Sequence, residues 1–152
     1  MQEPWIVRQR IDIPYRYTTG PALDRFFRGL REGVLWASRC DECHRTSFPP
    51  ISFCGNCWKP VTTYLQISGK GTVVSFTRID QLPPELEGAA QPLYYGLLAL
   101  EEADSRFVHL VRPAPGSSLA VGASVEAVWR EQRTGTIRDL DCFQATFRPT
   151  SD

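Results

Sequence analysis

Residues 40–57 read CDECHRTSFPPISFCGNC, with cysteines at Cys40, Cys43, Cys54 and Cys57. The spacing is Cys-x2-Cys-x10-Cys-x2-Cys: two knuckles that turn four thiolates toward one tetrahedral ion, joined by a segment short enough to fold back as a hairpin. Four sulfur ligands fill the shell of such an ion and leave no position for water. The array therefore predicts a structural zinc ribbon rather than a hydrolytic centre. Iron uses the same four-thiolate set and is the competing occupant. Between the knuckles, Phe48-Pro49-Pro50 is a stiff stretch that cannot be helical and is expected to expose its aromatic ring.

Upstream, residues 34–39 have the composition of a strand that feeds the first knuckle. Before it, Thr18-Thr19-Gly20-Pro21 has the chemistry of a helix start. It offers a hydroxyl or glycine cap, proline in the first turn, and Asp24 where the helix dipole favours an acid. Leu23, Phe26, Phe27, Leu30 and Val34 follow the i, i+3, i+4, i+7 rhythm of a helix face, and Gly29 and Gly33 weaken and end it. Residues 1–18, with Pro4, Pro14 and scattered arginines and aromatics, read as an extended arm.

Downstream the pattern is nearly all strand: Val61–Ser68, Gly71–Asp80, Leu93–Glu101, Arg106–Arg112, Ser124–Glu131 and Leu140–Phe147. Turn sequences such as Ser68-Gly69-Lys70-Gly71 and Ala103-Asp104-Ser105 separate them, and longer loops run over Leu82–Pro92 and Pro113–Gly122. Short strands with no helix among them predict a mainly β chain ending in a small antiparallel barrel or sandwich. An OB-type barrel is one solution, because Gly69 and Gly71 at its first strand permit sharp bending. The expected organisation is an arm over 1–18, a helix and zinc ribbon over 19–60, and the barrel over 61–152.

The chain has 152 residues, 42% of them hydrophobic and 22% charged, with a formal net charge of zero. That is enough apolar material for a packed core and argues against disorder. Residues 1–80 hold eleven Arg/Lys against seven Asp/Glu, whereas 81–152 hold six against ten. Proteins that live on nucleic-acid phosphates carry a basic excess, so nucleic acid is a disfavoured partner; a nucleic-acid-binding ribbon and barrel module stays as the alternative reading. No apolar stretch approaches the roughly 20 residues of a membrane span. The first residues lack the basic-then-apolar layout of a signal peptide, and paired cysteine knuckles suit a reducing compartment, so the expected location is the cytoplasm.

The order of these features resembles one family. An amphipathic helix, a strand ending in Arg39-Cys40, a ribbon carrying Phe48-Pro49-Pro50, then Ser68-Gly69-Lys70-Gly71-Thr72-Val73-Val74-Ser75-Phe76-Thr77 is similar to the DUF35 family. The later Val125-Glu126-Ala127-Val128-Trp129 and Phe147-Arg148-Pro149 fit the same pattern. The resemblance, over roughly residues 20–148, implies a rubredoxin-like zinc ribbon joined to an OB-fold. It also implies a non-catalytic accessory subunit in a hetero-oligomer with a thiolase-superfamily enzyme, a thiolase or thiolase-like aldolase, that helps form or share the site for an acyl-CoA. Three positions depart from the family pattern: in the second knuckle, Cys54-Gly55-Asn56-Cys57-Trp58, Gly55 and Trp58 stand where Cys-Pro-x-Cys-Gly is frequent, and Ile51 stands where many members have arginine.

With that role in view, Arg25, Arg28 and Arg31 on the helix are candidate contacts to the CoA phosphates, against the plainer reading of a solvated helix face. Phe26, Phe27, Trp36, Phe48, Pro49 and Pro50 are candidate partner contacts, since aromatics anchor interfaces; an intramolecular core is the competing reading. No catalytic residue is assigned. His44 reads as a surface residue of its knuckle and His109 as a satisfied, half-buried strand histidine. Cys142 reads as a buried structural thiol. The pairs Glu101-Glu102 and Asp139/Asp141 read as solvated charge at strand ends.

Overall fold

The computed structural model describes residues 5, 7, 13–14, 16–81, 86 and 92–146. Much of the expected N-terminal arm, most of the loop after Gln81, and the closing Phe147-Arg148-Pro149 lie outside the described residues. The chain opens with α1 (Gly20–Glu32) and then β1 (Leu35–Arg39), β2 (Thr46–Ser47) and β3 (Thr63–Ile67). The remaining strands are β4 (Lys70–Arg78), β5 (Tyr94–Leu100), β6 (Arg106–Arg112), β7 (Ser124–Trp129) and β8 (Leu140–Ala145), with a 3-10 turn at Ile137–Asp139. Among the described residues no helix is long and apolar enough to cross a membrane.

Pro21 sits in the first turn of α1, and Gly33 ends the helix in the left-handed region at φ 78°. There the Gly33 and Val34 N–H groups close onto the Leu30 and Gly29 carbonyls (3.2 and 2.8 Å), the glycine-ended stop expected from sequence. Thr19 makes no side-chain cap, and no acid lies in the first turn. Asp24 instead faces Arg28 one turn on, at 2.8 Å and in the open, where such pairs contribute little.

Gly29 is there for packing rather than weakness. A Cβ at this position would run into Trp36 Cδ1 and come within 2.7 Å of the Val34 carbonyl. Trp36 on β1 thus lies directly on the helix backbone. Gly29→Ala should cost about 1–3 kcal/mol by overpacking, despite alanine's better helix propensity, and thermal denaturation reads the sign.

Strands β2, β1 and β3 form an antiparallel sheet in that order, and β4, β5, β6, β8 and β7 close a five-stranded barrel. The barrel pairs are antiparallel except β6 with β8. β4 serves two neighbours, pairing with β7 at Lys70–Thr72 and with β5 along its length, with a bulge between Val73 and Ser75. A Cβ at Gly71 would strike the Ala99 carbonyl, so the residue where β4 is shared between β5 and β7 must be glycine. Val61–Ser68, read from sequence with the barrel strands, pairs through β3 with β1 from Leu35↔Ile67 to Arg39↔Thr63. The sheet that carries the ribbon therefore runs past residue 60.

One core serves both sheets. Phe26 and Leu30 of α1, Leu35 and Ala37 of β1, Phe48 and Ile67 belong to the same buried cluster as Leu98, Phe107, Val111, Leu140 and Phe143 of the barrel. Phe48 is 2% exposed, which overturns the expectation of an exposed ring. Its ring lies edge-on to Phe26 (5.7 Å) and to Phe107 (4.8 Å), and the Phe48–Pro49 peptide is cis.

Candidate metal centre

The two knuckles are built alike. In the first, the Cys40 N–H donates to the Arg45 carbonyl (3.0 Å) and the His44 N–H to the Cys40 carbonyl (2.9 Å). In the second, the Cys54 N–H donates to the Lys59 carbonyl and the Trp58 N–H to the Cys54 carbonyl, both at 2.9 Å. The residue after the second cysteine of each turns left-handed: His44 and Trp58 both have φ 58°. Trp58 thus carries a bulky side chain in a backbone region where glycine is favoured.

The knuckles bring all four thiols together, with every Sγ within 4.8 Å of the others. Cys40 and Cys57 are 3.4 Å apart, Cys43 and Cys54 3.5 Å, and Cys43 and Cys57 3.9 Å. A tetrahedral ion with metal–sulfur bonds of about 2.3 Å needs sulfur–sulfur edges of about 3.8 Å, whereas a disulfide needs about 2.05 Å. The cluster is a four-cysteine metal-binding site.

Its electrostatics agree. The backbone N–H groups of Cys57 and Asn56 favour the Cys54 thiolate and bring that thiol down to about 6. Cys57 is pushed up to about 12, because the neighbouring Cys40 thiol and burial outweigh the backbone at Lys59 that favours its thiolate. Four adjacent thiolates are compatible only around a cation.

The barrel holds the ribbon at a clasp that sequence showed only as a turn. The Thr46 N–H donates to Asp104 Oδ2 (2.8 Å), and the Asp104 N–H to the Thr46 carbonyl (2.9 Å). Ser105 Oγ accepts from the Phe48 N–H and donates to the Phe48 carbonyl, both at 2.8 Å. Small hydrogen-bonding side chains in a hairpin turn signal a turn; only the tertiary fold shows that they grip another strand.

The other candidates separate. Phe26, Phe48 and Pro50 are buried within the chain and offer a partner no surface, a correction to their reading as contacts. Phe27, Trp36 and Pro49 are half-buried. Arg25, Arg28 and Arg31 are all exposed. The Arg25 guanidinium lies over both Trp36 (4.9 Å) and Tyr64 (4.8 Å), and Arg28 is paired with Asp24. Among the described residues, the large apolar side chains left in solvent beside the cysteine cluster are Phe53 (62% exposed) and Trp58 (80%), on and beside the second knuckle.

His44 is exposed, as expected. Cys142 is fully buried, and burial pushes its thiol up to about 11. Asp139 is buried rather than solvated: burial raises its carboxyl, but the N–H groups of Thr134, Gly135 and Thr136 outweigh this and hold it below its usual value. Asp141 is shared by Arg112 (2.8 Å) and Arg130 (3.2 Å).

His109 departs furthest from expectation. It is buried, its Nδ1 accepts the Leu110 N–H (2.7 Å), and among the described residues Nε2 has no hydrogen-bond partner. Burial brings its pKa down to about 4 from 6.5, against the opposing pull of the Ile137 backbone and of Asp141. A histidine held neutral in the fold takes up its proton more readily when unfolded. Its contribution is therefore full above the unfolded value of 6.5 and is lost as pH falls toward 4, by about 3 kcal/mol. Urea titrations at pH 7 and pH 4.5, run on the parent and on His109→Phe, isolate that share: the parent should lose more stability than the variant.

Residues 27–62 match the family model of the ChsH2 rubredoxin-like zinc ribbon domain, and residues 64–130 that of the ChsH2 C-terminal OB-fold domain. No curated protein matches the sequence. Among solved structures the chain is similar to a DUF35-family protein of unknown function from Sulfolobus solfataricus. The two share 23% identity over 84% of this chain and 85% of that one, with a TM-score of 0.64. It is also similar to a chain of the Ltp2-ChsH2 (DUF35) aldolase, at 20% identity over 86% of this chain and 98% of that one, TM-score 0.62. These two likenesses are of fold. The two domain models follow each other along the chain with only residue 63 between them, and with that succession of ribbon and barrel the chain belongs to the DUF35 family, in its ChsH2 form.

Proposed function

We propose that this protein is a zinc-holding, non-catalytic accessory subunit that docks a thiolase-superfamily enzyme and helps form its acyl-CoA site. The observation that carries the reading is the fold match across 98% of a chain of an aldolase named for two components, Ltp2 and ChsH2. The four-thiolate site supports it, since a closed shell holds structure and leaves no open ligand position. Zinc is the ion proposed over iron, because the ribbon is of the zinc type; elemental analysis should give close to one zinc per chain and little iron. A bound zinc ion would serve as a four-way crosslink between the knuckles. A reducing compartment, the cytoplasm, suits thiols kept for a metal.

The docking surface is placed on the second knuckle, where Phe53 and Trp58 stand in solvent and Trp58 holds an unfavourable backbone angle. The exposed face of α1 with Arg25, Arg28 and Arg31 is the candidate contact for CoA phosphates. The test is coexpression with a thiolase-type partner. The tagged chain should retain the partner at fixed stoichiometry. Trp58→Ala should weaken retention about tenfold or more without lowering the melting temperature of the chain alone. A chain that stays monomeric beside every such partner would overturn the reading.

A further inference from the structure

We infer that the barrel carries a second site, a pocket for a small aromatic or branched carboxylate, at the rim formed by β5, β6 and the 3-10 turn before β8. A cavity of about 210 Å³ opens there, walled by Tyr95, Val108 and Ile137. His109 lies at its wall, nine-tenths buried, with Nε2 unpartnered among the described residues. Because Nδ1 accepts the Leu110 N–H, the ring's own proton sits on Nε2, so the orphan is a donor that lacks an acceptor. The Ile137 backbone faces the ring as a hydrogen-bonding neighbour that favours its proton, but among the described residues no bond of full geometry reaches Nε2.

The charge at the rim selects an anion. Arg130 and Arg138 both line the cavity with one carboxylate, Asp141, and that carboxylate is already shared by Arg112 and Arg130. Among the described residues Arg138 has no ion-pair partner. The cavity's walls are open, with Tyr95 42%, Val108 61% and Ile137 42% exposed, so a single ring or a branched chain of similar size would lie against them partly in solvent. An anionic head between the His109 Nε2–H and Arg138 would place the hydrocarbon against Tyr95, Val108 and Ile137, with the Asp141 carboxylate held back by its two arginines. The arrangement also falls where OB barrels place ligands, on the second and third strands of the barrel and the loop before its last strand.

The proposal stands apart from docking and needs no partner protein. The zinc-loaded full chain is titrated with sodium benzoate, following the His109 ring and the Val108 and Ile137 methyl groups by NMR, with benzamide as the neutral isostere. Saturable shifts at those three residues are expected, with a dissociation constant of about 1 mM or below. Benzamide should bind about tenfold more weakly, the loss of one charge-assisted contact. Arg138→Gln and Val108→Asp should each weaken benzoate about tenfold or more. Both positions are exposed, so unchanged spectra elsewhere confirm that the variants are folded. No saturable shift at His109, equal binding of benzamide, or parent-like affinity in both variants overturns the site.

Discussion

Cys40→Ser, or stripping the metal with a chelator, is expected to collapse the ribbon and to abolish assembly with a partner. Structural zinc contributes on the order of 10 kcal/mol to folding in small zinc modules, comparable with the whole stability of a typical domain. Little else holds the knuckles. Their buried cluster consists of Cys40, Cys54 and Val61, with Cys43 and Cys57 packed partly against it. The hydrogen bonds that shape them are local turns. The barrel and α1 share a separate, larger core, so the chain should not unfold throughout. The expected signature is a melting transition lowered by at least about 10 °C together with loss of amide-exchange protection in the two knuckles, over 40–45 and 54–61, while the Thr46 and Phe48 amides clasped to the barrel and the β4–β8 strands stay protected. A metal-free chain that melts at the parent temperature would show the ion to be a passenger.

The metal site was legible because its geometry is local: two short knuckles and a bounded loop leave few ways to arrange four sulfurs. Strand positions were legible from alternation and turn residues, and Arg106–Arg112 matches its expected span. What sequence could not show was how the pieces pack. Phe48 beside two prolines looks like a loop aromatic, yet it is the contact between helix, ribbon and barrel, because the Ser105 clasp fixes its backbone there. β3 alternates like a barrel strand, but its partner is β1 on the far side of the ribbon. Gly29 weighs against a helix by propensity and is required by Trp36. His109 looks like any strand histidine until the fold leaves one nitrogen unpaired beside a cavity. Each of these depends on which residues distant in sequence arrive as neighbours.

Phe48→Ala puts that packing to the test. The ring is 2% exposed and touches Phe26 of the helix on one side and Phe107 of the barrel on the other, so its removal leaves a hole where three elements meet. Truncating a buried phenylalanine costs about 3–5 kcal/mol, and the lost edge-to-face contacts lie within that figure. For a chain of this size the melting temperature should fall by about 10–15 °C. Phe48→Leu, which keeps most of the volume, should cost roughly half as much or less. Because one buried cluster runs from α1 through the barrel, tryptophan fluorescence and far-UV circular dichroism should report a single shared urea transition in the metal-loaded variant. The decisive comparison is with the earlier expectation that Phe48 is an exposed anchor. An anchor on the surface would leave the isolated chain's stability within about 0.5 kcal/mol and weaken only the partner complex. A core residue does the reverse: the isolated chain weakens first, and any loss of the complex follows in proportion to the unfolded fraction.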